Sequence, residues 1–379
     1  MKVLEALERY KGSQLEKLQA LKDQYAIKFN ICGDLVSLKY DQLDSPKTNP
    51  VVRECRGLVL ELDTFKVVVQ QFYRFFNYGE ESDVSEDDLS DMVIQEKHDG
   101  SLMSLFFHNG EWKCCTSGTP TAQSNVGDWE ITFADLFWKA LNMKNINDVL
   151  ESYKEHTFTF ELTAPQNKVV RSYDKPSLVL LGTRFRQEEL TPDYLKEFSE
   201  VLRVELPTMY ELDSLDKILD SWKLLKPEEE GYVAVDYSRR DSYGNFLRCK
   251  VKNPAYVALH RLKDSSCNSQ RALLQVVLTG EVDEIITYFP EYTEVIKSFE
   301  SALDNWRNAH NKLAARFMDS HPAEIGTFCK NNSHNSSVIF GITRKQCVDA
   351  DDFIRKGIKR KGIKGFAKKF IVELKEWKG

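Results

Sequence analysis

Long apolar runs are missing from this sequence, and so are the cysteine patterns that hold small domains together. No run approaches the ~18 apolar residues that a membrane-spanning helix needs, and the charged N-terminus, residues 1–11, lacks the apolar core of a signal peptide. None of the eight cysteines forms a C-x-x-C pair, which argues against a zinc site and against a disulfide framework. We therefore expect a cytoplasmic protein with free thiols and no membrane contact.

Excess positive charge is confined to the C-terminus. The net charge is −6, whereas residues 355–379 carry ten Lys or Arg and only two Glu. An acidic body argues against general nucleic-acid binding, but a basic C-terminal stripe can hold a phosphate backbone. In that case the apolar side chains of the same segment would pack inward; these are Phe366, Phe370, Ile371 and Leu374. The alternative is that the stripe is only the solvated face of a helix.

The spacing of apolar residues predicts the secondary structure of the first two thirds of the chain. Residues 1–27 are predicted to be helical, and Ser13 with Glu16 forms a capping box inside this stretch. Alternating patterns typical of half-buried strands follow from about residue 31. Residues 128–155 are again predicted to be helical, because their apolar side chains recur on one helix face.

The pattern changes once more near residue 261, and from there it is helical with no clear strand. At 379 residues, with 42% apolar and 29% charged side chains, the chain is long enough for two globular domains. We therefore expect an α+β domain of strands and helices over residues 1–262. An all-helical C-terminal domain is predicted over residues 263–379.

The stretch Lys97-His98-Asp99-Gly100-Ser101 lies between two apolar runs that are typical of strands. Burial and neighbouring cations lower the pKa of a lysine, which makes the neutral and nucleophilic amine more available. Glycine lets the backbone approach a bulky ligand. The alternative is a simple bend, in which Asp-Gly turns the chain and Lys97 is a solvated charge at the edge of a sheet.

Five short signals of this kind lie at predicted strand ends in the first domain. They are Arg56-Gly57, Lys97-x-Asp99-Gly100, Glu161, Glu230-Gly231 and Lys250-Val251-Lys252. Each supplies a residue type that nucleotidyl transfer needs: a nucleophilic lysine, cations for phosphate oxygens, and carboxylates for a ribose or a hard divalent cation. Lysines at i and i+2 also share one face of a strand. Each signal alone is more often structural, but all five in this order are hard to obtain by chance.

With these motifs the chain resembles the covalent nucleotidyltransferase superfamily, and within it the bacteriophage-type RNA ligase 1 family. The resemblance covers roughly residues 30–262. The supporting segments are Glu54-Cys55-Arg56-Gly57, Phe75-Phe76-Asn77, Lys97-His98-Asp99-Gly100-Ser101, Phe160-Glu161-x-x-Ala164-Pro165-x-Asn167, Glu230 to Val235, and Lys250-x-Lys252. It implies an α+β fold in which a nucleotidyltransferase domain of antiparallel sheets flanked by helices precedes an all-helical C-terminal domain with a role in RNA recognition.

The resemblance also implies an enzyme that uses ATP, with Mg²⁺ or Mn²⁺, to join 5′-phosphate and 3′-hydroxyl RNA ends, including those of nicked tRNA. Lys97 would be the catalytic nucleophile that carries AMP, and Glu230 would organise the metal. The family positions that contact ATP correspond to Tyr40, Arg56, Arg74, Lys97, Glu161, Gly231, Lys250 and Lys252. No obligate protein partner is implied. The expected location is the cytoplasm, which would be that of the host if a phage encodes the chain.

The sequence departs from the family pattern at two phosphate-binding lysines. Arg74 stands at the first position, where the charge is kept but its geometry changes, and Ser117 stands at the second. The contact expected at Ser117 is then either lost or supplied by Lys113. One ring of Phe75 and Phe76 could stack on a nucleotide, although adjacent phenylalanines are more often part of a core.

Two other classes of function fit part of the pattern. A DNA ligase or a GTP-dependent capping enzyme of the same superfamily would typically carry an arginine five positions after the nucleophile, where this chain has Leu102. A non-catalytic RNA-binding protein could keep the fold without the chemistry.

Overall fold

The computed structural model shows two compact units, Met1–Val257 and Ala258–Gly379. It describes residues 1–42, 44–80, 84–85, 87–222, 224–226, 228–241, 244–253, 256, 269–280, 282, 286, 293–331 and 335–376. The predicted boundary after residue 262 falls outside these residues, so the predicted domain limits and roles stay predictions. No helix in the described part of the chain combines the length and the apolar character that crossing a bilayer requires.

The first unit is built from strands and short helices. Its strands are β1 (Ile27–Cys32), β2 (Leu35–Tyr40), β3 (Arg56–Glu61), β4 (Val67–Val69), β5 (Val93–Glu96), β6 (Ser101–His108), β7 (Glu111–Thr116), β8 (His156–Thr163), β9 (Ser177–Phe185), β10 (Glu188–Glu189), β11 (Met209–Tyr210), β12 (Gly231–Arg240) and β13 (Phe246–Lys252). Its helices are α1 (Lys2–Arg9), α2 (Gln14–Tyr25), α3 (Pro50–Glu54), α4 (Phe133–Leu141), α5 (Ile146–Val149), α6 (Pro192–Leu202) and α7 (Leu215–Ser221).

The strands of this unit form three antiparallel sheets, which confirms the predicted fold class. The strand orders are β1-β2-β3-β4, β10-β9-β8-β6-β7 and β11-β5-β12-β13. Residues Asn109 and Gly110 turn the β6–β7 hairpin with positive φ angles of 52° and 84°, as an Asn-Gly pair favours. The predicted capping box of Ser13 and Glu16 is present at the start of α2.

The prediction of one helix over residues 128–155 is wrong. Helix α4 ends at Leu141 because Asn142 adopts the left-handed conformation, with a φ of 45°, and closes the helix as its C-cap. Only the short helix α5 and a 3₁₀ turn, Glu151–Tyr153, follow it. The apolar spacing continued across a conformational break that it could not reveal.

Several apolar clusters hold the sheets of the first unit in place, and one of them, which includes Ile94 and Val251, supports the β11-β5-β12-β13 sheet. The five-stranded sheet packs against α4 and α6 through an aromatic core that includes Phe137, Phe158, Phe160 and Phe198. A smaller cluster that includes Val59 and Phe106 joins the β1–β4 sheet to this five-stranded sheet. Burial of such side chains stabilises a fold by roughly 1.5–3 kcal/mol each, so the strands that carry the predicted site residues rest on rigid supports.

The strands and helices that the structure describes in the second unit are all helices. Its helices are α8 (Ser269–Thr279), α9 (Thr293–Arg316), α10 (Pro322–Asn331), α11 (Ser336–Thr343) and α12 (Ala350–Glu376). Trp306 of α9 is fully buried and meets Phe370 of α12 edge-on, with 4.9 Å between the ring centroids. Phe366, Ile371 and Leu374 of α12 are buried as well, so the apolar face of the basic segment packs inward.

Candidate active site

Lys97 follows directly on strand β5, and its backbone fixes it to the neighbouring strand. The Lys97 N–H donates a hydrogen bond of 2.8 Å to the carbonyl of Gly231, the first residue of β12. Gly100 closes the turn into β6 next to β8, where a Cβ atom would lie only 2.3 Å from the Leu162 carbonyl oxygen. The turn therefore needs glycine, and it holds Lys97 at the end of a well-packed strand.

Gly231 begins β12, which lies between β5, the strand before Lys97, and β13, the strand that carries Lys250 and Lys252. It is paired with Lys252 on β13, and its carbonyl accepts the bond from Lys97. Its φ of +111° is unfavourable for other residues, and a Cβ atom would lie 2.5 Å from the Val251 carbonyl oxygen. Gly231 thus lets three backbone segments approach one another closely at the predicted site.

The side chain of Lys97 forms an ion pair with Glu230. Lys97 Nζ lies 2.8 Å from Glu230 Oε2, and both side chains are largely buried. Sequence reasoning placed Glu230 at a metal, and this direct pairing with the candidate nucleophile was not foreseen. Among the described residues, no group of three or more His, Cys, Asp or Glu side chains is arranged to hold a metal ion.

Glu161 on β8 lies deep beside the Lys97 turn. Its Oε1 accepts a hydrogen bond of 3.1 Å from the Gly100 N–H. Burial raises the pKa of this carboxyl to about 7; the charge of Lys97 opposes the rise, and the charge of Glu230 adds to it. Near neutral pH, Glu161 is therefore partly protonated, and a charge that enters the site would shift its pKa.

Lys250 on β13 lies in the middle of a group of cations. Burial holds the pKa of Lys250 well below its usual value, and the charges of Arg56, Lys252 and Lys97 lower it further. Its backbone N–H donates to the Phe76 carbonyl over 2.9 Å, which ties β13 to the Phe75-Phe76 segment. Lys252 lies two residues further along and therefore on the same face of the strand.

Arg56, Tyr40 and Arg74 extend this cationic group. Burial lowers the pKa of Arg56, and its Nη1 atom is buried without a hydrogen-bond partner in the described part of the chain. Arg74 Nη1 donates to the Tyr40 hydroxyl over 3.0 Å. Burial disfavours the Tyr40 phenolate, but the charges of Arg56 and Arg74 outweigh that effect and lower the pKa of Tyr40.

The two adjacent phenylalanines have different environments. Phe76 is buried, and the Arg74 guanidinium lies over it at 5.0 Å from the ring centroid. Phe75 is only half buried; Arg56 lies 5.0 Å and Lys250 Nζ 5.1 Å from its ring centroid. Phe75 is therefore the ring that borders the candidate site, and Phe76 belongs to the packed interior.

One cavity brings together four of the predicted residues, Arg56, Lys97, Glu161 and Lys250. Phe75, Leu102 and Arg248 also line it. Tyr40, Arg74 and Glu230 do not line this cavity, but the charges of Arg56 and Arg74 act on Tyr40, and Glu230 forms an ion pair with Lys97. The predicted residues thus form one connected site, although they come from all three sheets and the segments between them.

The substitution at Ser117 leaves a neutral contact. Ser117 Oγ donates to Gln71 Oε1 over 2.9 Å, and the Cα atom of Ser117 lies close to Gly57. Lys113 pairs with Phe106 in the β6–β7 hairpin, four positions along β6 from Leu102. Four strand residues span about 13 Å, so Lys113 is well separated from the residue that lines the cavity.

Several contacts around Lys97 were not predicted. Asp99 accepts hydrogen bonds from the N–H groups of Val170 and Arg171, at 2.7 and 2.8 Å, and from the Tyr256 hydroxyl at 2.7 Å. Arg171 Nη1 also pairs with Glu96 Oε1 over 2.8 Å. Asp99 was noted only as part of a turn, because partners 71 and 157 residues away leave no local signal in the sequence.

Comparison with known proteins points to one family. The model of RNA ligases of the T4 RNA ligase 1 type matches residues 54–256. The chain is 31% identical over 291 residues to the "Putative bifunctional polynucleotide kinase/RNA ligase" of Autographa californica nuclear polyhedrosis virus, covering 73% of this chain and 40% of that protein. It is 25% identical over 369 residues to the RNA ligase of Rhodothermus phage RM378, covering 76% of this chain and 83% of that protein.

Solved structures give a weaker match. An archaeal ATP-dependent RNA ligase superposes with a TM-score of 0.46 and 11% identity, over 79% of this chain and 74% of that one. The chain spans less than half the length of the bifunctional viral relative, of which it covers 40%.

Proposed function

The chain belongs to the RNA ligase family of the T4 RNA ligase 1 type, and we propose that it joins RNA 5′-phosphate and 3′-hydroxyl ends by ATP-dependent adenylyl transfer. The neutral amine of Lys97 attacks the α-phosphorus of ATP, a P–N bond forms and pyrophosphate leaves. AMP then passes to the RNA 5′-phosphate. The 3′-hydroxyl displaces AMP in the last step and forms the phosphodiester.

The observation that carries this proposal is the convergence of Arg56, Lys97, Glu161 and Lys250 on one cavity. Burial, and then the charges of Arg56, Lys252 and Lys97, lower the pKa of Lys250, so these neighbouring cations repel one another. A triphosphate relieves this repulsion when it binds, so the site favours a highly charged anion. The unpartnered Arg56 Nη1 supplies a donor for such a ligand, and Phe75 supplies an aromatic surface.

Glu230 and Lys97 have linked roles in this scheme. In the absence of nucleotide, Glu230 holds the Lys97 amine 2.8 Å away at the end of β5. Attack requires that the amine lose its proton and leave this pair. Lys250 and Arg56 then stabilise the charge that develops on the phosphate oxygens, an effect that commonly contributes ~10²–10³ in rate.

The residues at the site fit a Mg²⁺ or Mn²⁺ ion. Hard divalent cations use carboxylate oxygens, and Mg²⁺ usually combines one or two carboxylates with waters and substrate phosphates. Glu230 and Glu161 are the two carboxylates whose charges act on each other beside Lys97. When bound, the metal neutralises phosphate charge, and we propose these two side chains as the protein's contribution to its binding.

Labelled nucleotide tests the proposal directly. The full chain incubated with α-labelled ATP should acquire a covalent AMP label that resists denaturation, and Lys97→Arg should abolish it because a guanidinium stays protonated. Lys217→Arg is the matched control, because Lys217 is exposed and pairs with Asp213 at helix α7, and it should keep the label. The Lys97→Arg protein should still seal RNA that already carries a 5′-adenylate.

Other labels separate the alternatives. A GMP adduct in place of AMP would indicate a capping enzyme, and efficient sealing of nicked DNA but not RNA would indicate a DNA ligase. A folded protein that forms no adduct would be a non-catalytic RNA-binding protein. Among RNAs, we propose nicked tRNA as the structured substrate, and we propose the cytoplasm as the place where the protein acts on it. If nicked tRNA is sealed no faster than an unstructured RNA, the choice of nicked tRNA is wrong.

A further inference from the structure

Helix α12 of the second unit contains a sharp bend at Gly362. This residue has a φ of 69° and a ψ of 157°, which lie outside the helical range and are accessible mainly to glycine. The bend folds the second half of α12 back, and the Phe366 ring lies against Gly357. A Cβ atom at position 357 would be only 2.4 Å from Phe366 Cε2. In a straight helix these nine residues would span about 13 Å.

The bend encloses a cavity of about 550 Å³ between α11 and the two halves of α12. This size lies within the range of small-molecule sites. Phe353, Phe366 and Phe370 contribute aromatic surface to its wall. The cavity lies entirely within the described residues of the second unit.

Positive side chains surround the mouth of this cavity. Arg360, Lys361 and Lys369 line it and are exposed. The preceding turn of α12 differs, because Arg355 and Lys356 form ion pairs with Asp351 and Asp352. No carboxylate among the described residues forms such a pair with Arg360, Lys361 or Lys369, so these three cations are available to an anion.

A carboxylate lines the inner wall. Glu373 Oε1 accepts hydrogen bonds from Trp306 Nε1 over 3.2 Å and from Asn335 Nδ2 over 2.7 Å. These two bonds fix the carboxylate, which can accept further hydrogen bonds when ionised. An occupant that offers an amino group to this wall and a phosphate to the mouth would satisfy both ends of the cavity.

We propose that this cavity binds one unstacked nucleotide of the RNA substrate, with its base against the phenylalanine rings and its phosphate between Arg360, Lys361 and Lys369. Proteins read single-stranded RNA by stacking splayed bases on aromatic side chains and binding the base edges. The Glu373 carboxylate favours bases with an exocyclic amino group, such as adenine and cytosine, over uracil. The choice of RNA as the source of the nucleotide rests on the proposed ligase function.

A pair of charge-matched variants tests the site. Lys361→Glu with Lys369→Glu changes two residues that line the cavity, and Lys359→Glu with Lys368→Glu changes two exposed residues of the same helix halves that do not. Both variants alter the charge equally. Affinity of the full chain for a labelled single-stranded RNA should fall at least about tenfold more in the first variant than in the second. Equal losses would overturn the site, because they would mean that only total charge matters.

A filling variant removes the cavity without changing the charge. Ser337 lines the cavity and is exposed at the start of α11, so Ser337→Trp should place a large side chain inside it. We expect a loss of RNA affinity comparable to that of the Lys361 and Lys369 variant, in a protein with an unchanged circular dichroism spectrum. Undiminished RNA affinity in this folded protein would overturn the proposal. Glu373→Gln should reduce the preference for adenine and cytosine oligomers over uracil oligomers.

Two further measurements keep this site distinct from the catalytic one. Labelling with α-labelled ATP should be unchanged in the Lys361 and Lys369 variant, because none of the cavity residues belongs to the Lys97 site. A wild-type chain that binds RNA through the cavity but forms no AMP adduct would refute the ligase proposal alone. Binding of free AMP that the variant loses, with unchanged RNA affinity, would overturn the assignment to RNA.

Discussion

In the first unit, Arg56 and Lys250 lie together deep beside a cavity, whereas Arg360, Lys361 and Lys369 of the second unit extend into solvent. Burial lowers the pKa values of both Arg56 and Lys250, and the charges of neighbouring cations lower them further. The exposed cations are surrounded by water and salt, which screen their charges within about 10 Å. The same residue types therefore do different work: the deep group favours one compact polyanion, and the exposed group suits an extended one.

A third group of cations shows what happens when a carboxylate joins them. Arg184 and Arg248 meet Glu189, which is buried at 2% exposure, and Arg248 Nη1 lies 3.1 Å from its Oε2. Burial would raise the pKa of Glu189, but the two guanidinium groups lower it overall. Glu189 offsets part of the charge of this group, whereas neither Arg56 nor Lys250 forms an ion pair with a carboxylate among the residues that the structure describes.

The largest effect on stability should follow from removing the carboxylate of Glu189. Glu189→Gln leaves two largely buried guanidinium groups without their counter-charge, and breaking such a buried pair commonly costs about 3–5 kcal/mol. Urea denaturation should show this loss in the free energy of unfolding. Glu155→Gln is the control, since Glu155 pairs with Arg186 at the surface and its loss should cost less than about 1 kcal/mol. Similar losses of unfolding free energy in both variants would contradict the distinction between the buried Glu189 group and the exposed Glu155 pair.

Lys250→Met should separate stability from function. Removing this charge relieves repulsion by Arg56, Lys252 and Lys97, so the nucleotide-free protein should melt at a higher temperature. The same change should slow formation of the AMP adduct by ~10²–10³. Scanning calorimetry and rapid-quench labelling measure the two effects. Lys252→Met is the control and should change the melting temperature less. A Lys250→Met protein that forms the adduct more slowly and is also less stable would contradict the proposed repulsion between Lys250 and its neighbouring cations.

The pH dependence of stability should reveal Glu161. Its pKa is raised from 4.5 to about 7 in the folded state, so folding favours the protonated form. Its contribution is present below about pH 4.5 and is lost as the pH rises through 7. Glu161→Gln mimics the neutral form and should be more stable than wild type at pH 8, by roughly 3 kcal/mol. Urea titrations at pH 5 and 8 measure the difference in unfolding free energy between Glu161→Gln and wild type. An equal difference at both pH values would show that it does not come from the raised pKa of Glu161.

The smallest effect should come from the paired cations at the start of α12. Arg355 is exposed and forms an i,i+4 ion pair with Asp351. Such pairs contribute roughly 0.3–0.5 kcal/mol, so Arg355→Ala should leave the melting temperature nearly unchanged. Its RNA affinity should fall less than that of the Lys361 and Lys369 variant at every salt concentration. A loss as large as in that variant would show that the ion pairs do not set these residues apart.

The sequence was most informative where structure depends on neighbours in the chain. The Ser13 and Glu16 capping box, the Asn-Gly hairpin and the strand before Lys97 follow from local chemistry, and the structure contains all three. The motif spacing also grouped residues that share one cavity. It could not reveal the Lys97–Glu230 pair or the Glu189 contacts, which depend on how sheets come together. It also missed the left-handed turn at Asn142, because apolar spacing does not report backbone handedness.

The hydrogen bond between Tyr256 and Asp99 restrains the turn that carries Lys97. Tyr256 is the last described residue before the chain continues into the second unit, and its hydroxyl holds the carboxylate of the turn that carries Lys97. The bond joins residues that are 157 positions apart, so it restrains the Lys97 turn from a distant point of the chain, together with the N–H groups of Val170 and Arg171. A hydrogen bond to a charged group is worth about 1.5–3 kcal/mol, so loss of the Tyr256 hydroxyl would lower the population of this turn geometry relative to other geometries by about 10- to 150-fold.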